Sequence, residues 1–133
     1  MWRIVGCLLT VCALVLNTQA SGATQPDKLR AMVLTGQNNH GWEVLSAYYV
    51  EILRETGLFE VDLVISPSQG SDMSQFAPDF DAYDVVVLEY NGDRWPRTVE
   101  ARFERYMRRG GGMVYGHAAV SYTHLTLPTI YSV

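Results

Sequence analysis

The chain has 133 residues, with 14 acidic and 10 basic side chains and a net charge of −4. Once an export segment is removed, roughly 110 residues remain, enough for one modest hydrophobic core, so no second domain is expected within them. The charges are spread along the chain with no basic stripe to neutralise phosphates, which argues against nucleic acid as a partner.

Residues 1–23 read as a signal peptide: one positive charge at Arg3, an apolar run from Ile4 to Leu16, then small and polar residues. Cleavage after Ala20 or Ala23 fits the small-x-small rule. The run is too short to span a bilayer, so the mature chain is expected outside the cytoplasm, periplasmic or extracellular, with no stable membrane span. Ile4-Val5-Gly6-Cys7 is like a lipoprotein box but leaves almost no apolar core ahead of the cysteine. Both cysteines, Cys7 and Cys12, leave with the signal. The mature chain therefore has no disulfide, no thiolate nucleophile and no cysteine metal ligand.

From Lys28 the pattern alternates strand and helix, as in βαβ units that build a parallel sheet. Residues 31–35 (AMVLT) form a short buried strand ending at Gly36. Residues 42–56 carry apolar side chains at Leu45, Tyr48, Tyr49, Ile52 and Leu53, a helical stripe stopped by Gly57. Residues 59–66 (FEVDLVIS) are the second strand, and 68–79 a polar loop without period. Residues 83–90 (YDVVVLEY) are the strongest strand, apolar on both faces and hence central, with helices on either side. Pro96 opens a second helix in its first turn, with Val99, Phe103, Tyr106 and Met107 facing the sheet and Arg108 and Arg109 near the negative end of the helix dipole. Residues 113–115 make a fourth strand ending at Gly116-His117. The expected architecture is α/β: a doubly wound parallel sheet in the order β-α-β-β-α-β, truncated after about four strands.

Beyond Ala119 neither period continues. Back-translation of residues 120–129 (VSYTHLTLPT) reproduces ten codons of a widely used sequencing adapter, and the adapter's continuation reads through Val133 to a stop. Residues 120–133 are therefore expected to be a non-native tail and 24–119 the natural domain segment, and His124 carries no functional weight.

Ligands of such sheets bind beyond the carboxyl ends of the strands, which brings 36–41, 89–95 and 116–119 together. Gln37, Asn38, Asn39 and His40 follow the first strand. Their amides offer both donors and acceptors, which suits polyol hydroxyls better than phosphate. The same asparagines would serve equally to cap the helix that follows. Glu89 and Asn91 add a carboxylate and an amide at the same edge. Asp93 fits a turn with Gly92, and Trp95 either stacks on a sugar face or packs at the helix start. His117 could pair with His40 as an acid/base couple or as metal ligands. Two histidines without a placed carboxylate do not specify a metal site, so no metal or cofactor is assigned.

The segments GQNNHGW, YDVVVLEYNGDRWP and FERYMRRGGGMVYGHAA together resemble the ThuA-like (trehalose-utilisation) family over residues 29–119. The resemblance implies a flavodoxin-like fold of the class I glutamine amidotransferase type and a link to disaccharide catabolism, many exported members accompanying glycan-degrading systems. Gly41 departs from the pattern, since exported relatives typically carry aspartate there. Gly116-His117-Ala118-Ala119 places alanine where amidotransferases carry a nucleophilic cysteine, which argues against glutamine hydrolysis. The expected ligand is a small carbohydrate, with His40 and His117 as catalytic candidates and Gln37, Asn38, Asn39, Glu89, Asn91 and Trp95 as binding candidates. The alternative is a non-catalytic sugar-binding or accessory module. The chain by itself is expected to be inactive, because part of the pocket wall is missing.

Overall fold

Strand β1 (Leu29–Thr35) buries five residues in succession, from Ala31 to Thr35, which requires cover on both faces of the sheet. A computed structural model describes residues 27–116 and Ala119. The expected export segment, His117, Ala118 and the tail from Val120 onward lie outside the described residues. Helix α1 (Trp42–Glu55) leads from β1 to β2 (Phe59–Ile65), and α2 (Arg97–Arg108) leads from β3 (Val85–Leu88) to β4 (Gly112–Tyr115). All pairings are parallel, and the order among the described strands is β2-β1-β3-β4. This is the expected doubly wound α/β architecture, and it agrees with the start of the flavodoxin-like strand order.

Side chains alternate across each strand, so the two faces bury different sets. Ala31, Val33, Val61 and Val87 meet Tyr49, Val50 and Leu53 of α1. Met32, Leu34, Val86 and Leu88 meet Val99, Phe103 and Tyr106 of α2. The interior strand β3 thus has a helix on each side, as its unbroken valine run predicts.

The stripe expected on α1 is rotated. Tyr49 and Leu53 do pack on the sheet, together with Val50, and Ser46 is buried beside them. Leu45, Tyr48 and Ile52 are exposed, as is Val44. The apolar surface of this helix is broader than the strip a sheet can cover, and periodicity does not say which margin of a broad surface is used. On α2 Val99, Phe103 and Tyr106 are buried and Met107 is partly buried against them, but Pro96 precedes the helix as its N-cap, at φ −53° and ψ 142°. Its carbonyl accepts from the Val99 and Glu100 amides at 2.8 and 3.1 Å.

The stretch before β3 is not purely polar. Phe76 and Phe80 are buried, and Phe80–Ala82 form a single 3-10 turn. Both rings join an aromatic cluster with Trp95, Phe103 and Tyr106. Anchors in an irregular loop have no period, so sequence pattern passes over them.

Among the described residues, no helix is long and apolar enough to cross a membrane. Strand β4 lies at one margin of the described sheet, with Val114 half exposed. Apolar strand edges recruit further strands. The chain on its own is therefore expected to self-associate in light scattering, and Val114→Lys to raise the monomer fraction. A monomer that melts cooperatively without that change would contradict this account.

Candidate functional site

The chain runs from β1 outward to β2 and then crosses back over β1 to β3, so the strand order reverses between β1 and β3. At such a reversal the following loops diverge and leave a crevice at the carboxyl ends of the strands. Gly36 opens the loop after β1 at φ +122°, and a side chain there would collide with the backbone of Ser66 at 2.7 to 2.9 Å. Only glycine fits that turn.

Gln37 comes next and is buried. Its Nε2 donates to the Pro67 carbonyl at 2.7 Å, and its Oε1 accepts from the Asp93 amide at 2.6 Å. One side chain thereby joins the ends of β1, β2 and β3. Gly92 makes room for it, since a Cβ at that position would lie 2.1 Å from Gln37 Oε1. Asp93 is held as a structural acceptor, with Oδ2 taking the Gly70 N–H at 2.5 Å. Around this frame Gln37, Asn38, Asn39, Gln69, Asn91 and Gly92 line a hollow of about 300 Å³. Asn91 Nδ2 donates to Asn39 Oδ1 at 2.8 Å across its mouth.

Asn38 connects the hollow to a buried carboxylate. Its Nδ2 donates to Glu89 Oε1 at 2.6 Å, while its Oδ1 accepts the His40 amide at 3.0 Å. The N-cap position of α1 is Gly41, with no side-chain cap. The asparagines therefore shape the turn and face the crevice instead of capping the helix. A side chain at position 41 would meet open space, so an aspartate would fit there without rearrangement.

Glu89 is 1% exposed. Gly116 of the fourth strand's end lies against it, and a Cβ at 116 would fall 1.5 Å from Glu89 Oε2. Tyr49, on the face of α1 that meets the sheet, stands beside the same carboxylate. Burial first, and then the charge and hydrogen-bonding pull of Glu89, push its phenol above the ordinary tyrosine value of 10.0.

The structure brings Gln37, Asn38, Asn39, Glu89 and Asn91 together at one rim, with His40 exposed at the same turn. His117 lies outside the described residues, so its pairing with His40 is not described. Trp95 is a correction: it is 2% exposed and surrounded by Phe76, Phe80, Tyr90 and Phe103, so its indole supports the core and cannot stack on a sugar. Sequence reasoning passed over Gln69 and Tyr49. The signal for Gln69 was that the second strand ends at the same edge, and Tyr49 was read only as part of an apolar stripe. Among the described residues, no group of three or more His, Cys, Asp or Glu is placed to hold a metal ion.

No protein-family model and no curated protein matches this sequence. A crystal structure from Parabacteroides merdae, described as ThuA-like, does match, with a TM-score of 0.68 and 49% identity over 70% of this chain. The match covers 33% of that protein, so the chain spans about a third of its length.

Two measurements probe this geometry. Gly92→Ala is expected to lower stability by about 1–3 kcal/mol through overpacking against Gln37. Its cost in urea unfolding should shrink in a Gln37→Ala background, and equal costs in both would refute the contact. Because the folded chain holds the Tyr49 proton more tightly than the unfolded chain, this residue's contribution to stability is present below the ordinary tyrosine value. It is lost as pH rises through the folded value. Glu89→Gln should bring the Tyr49 titration down toward that of a free tyrosine, followed by NMR of 13Cζ-labelled tyrosine, and an unmoved titration would leave burial as its sole cause.

Proposed function

We propose that this chain is the N-terminal part of an exported ThuA-like protein that takes part in carbohydrate utilisation. The sugar is held where the strand order reverses, at the carboxyl ends of β1 and β3. The likeness to the Parabacteroides merdae protein supports the family, and the signal-like residues 1–23 support export.

The observation that carries the reading is the gathering of neutral amides around one hollow by three separate loops. Asn38, Asn39, Gln69 and Asn91 supply donors and acceptors without net charge, the chemistry that matches sugar hydroxyls. Gln37 has both amide atoms engaged by the backbone, so its part is to hold the loops in place. The exposed Asn39 and His40 meet the ligand from the outer side. His40 and His117 are the acid and base of the reading, because imidazole changes protonation near neutral pH. The substrates proposed are trehalose-like disaccharides and their keto derivatives.

The test uses the full-length protein. Turnover of a keto-disaccharide is expected to fall by roughly a hundredfold or more in His40→Ala and in His117→Ala, while binding measured by calorimetry persists. Binding without any turnover in the wild type would make the protein a sugar-binding module. Absence of both would end the carbohydrate reading.

A further inference from the structure

On the face of the sheet that carries α1, the carboxyl edge ends in a row of residues set by the parallel register. Val33 of β1 pairs with Val87 of β3, which in turn pairs with Val114 of β4. Two residues further along each strand, the same face carries Thr35, Glu89 and Gly116. Thr35 is fully buried and Glu89 is 1% exposed. Neither Thr35 Oγ1 nor Glu89 Oε2 has a hydrogen-bond partner among the described residues. Across from them Ser46 of α1 spends its hydroxyl on the Trp42 carbonyl of its own helix at 2.5 Å, so it answers neither. Buried polar atoms in folded proteins are almost always hydrogen-bonded, and an orphaned carboxylate oxygen is the costliest exception. Two such atoms on neighbouring strands, on one face and in one row, call for a shared partner.

The surroundings narrow what that partner is. A cation would need further anionic or imidazole ligands, and no such cluster is placed among the described residues. What surrounds the row is the Asn38 amide, already donating to Glu89 Oε1, and the Tyr49 phenol. Hydroxyl groups suit this set, because each one donates to a carboxylate while accepting from a threonine or amide donor. Adjacent strands stand about 4.8 Å apart, a separation that two neighbouring hydroxyls of one ring bridge through their hydrogen bonds. Glycine at 116 is what admits the carboxylate, since any side chain there would overlap Oε2.

We infer that Thr35 and Glu89 form a subsite for a pair of neighbouring sugar hydroxyls, with Glu89 Oε2 accepting from one and Thr35 Oγ1 bonding to the other. Asn38 stands between this row and the outer hollow, which neither Thr35 nor Glu89 lines, so a ligand would reach the carboxylate by displacing the Asn38 side chain. The inference rests on the carbohydrate reading and adds the residues that choose between sugars.

Calorimetry of the full-length protein with trehalose, its keto derivative and single-position deoxytrehaloses tests it. Glu89→Gln keeps the oxygen that receives Asn38 and changes only the pull on the Tyr49 phenol, and Thr35→Val keeps the shape of the side chain. Each is expected to weaken disaccharide binding tenfold or more without lowering the thermal midpoint. One deoxytrehalose should bind the wild type as weakly as trehalose binds Glu89→Gln, and show no further loss in that variant. Wild-type affinity in both variants overturns the subsite, and so does a midpoint that falls in step with affinity, which marks the pair as structural. A wild type that binds none of these sugars instead overturns the carbohydrate reading, and the subsite with it.

Discussion

Strand β1 takes hydrogen bonds from β2 on one side and from β3 on the other, and is covered on both faces. That placement fixes where the loop after β1 emerges, directly beside the loop after β3, with the loop after β2 on its far side. Every feature of the candidate site follows from it. Gln37 can reach Pro67 and Asp93 at once only because β1 is between the strands that lead to them. Asn38 meets Glu89 for the same reason.

The apolar layers below serve to hold this edge still. On the α2 side, Phe80, Trp95, Phe103 and Tyr106 pack ring against ring, and Trp95 anchors the segment that leaves β3 before α2 begins. Arg94 grips the buried Glu100 with two nitrogens at 2.8 and 2.9 Å, fixing the same segment from outside. The pairs of Arg105 and Arg109 with Asp81 lie at the opposite end of the molecule and are half exposed, where ion pairs contribute little. Polar residues at the rim are thus divided between those that build the frame and those left facing the crevice. A ligand that meets a rigid frame loses less entropy on binding.

The chemistry at the rim is that of amides, hydroxyls and one enclosed carboxylate. Among the described residues it contains no cysteine. Glycines at 36, 92 and 116 mark the places where backbone or side chains from different strands come too close for a Cβ.

The strands, both helices and their alternation were legible in the residues, because burial on two faces demands an unbroken apolar run such as Val85 to Leu88, and a helix on a sheet demands a stripe such as Val99, Phe103 and Tyr106. The meeting of the loops after β1 and β3 was legible too, since all parallel strands end at one edge, whereas the part played by the loop after β2 through Gln69 was not. The sequence could not divide the roles within those loops. Gln37 and Asn38 are adjacent amides of equal promise, yet one is enclosed by backbone partners and the other faces a carboxylate. Trp95, left by the sequence between a stacking platform and a packing residue at the helix start, is core. Thr35 looked like the end of an apolar strand, and Tyr49 like one member of a stripe that in fact turns Tyr48 outward. Composition and periodicity act along the chain, over a few residues. Which side chain is enclosed, which is exposed and which polar atom is left without a partner are decided between strands far apart in sequence, by register and by the packing of α1 and α2 against the two faces.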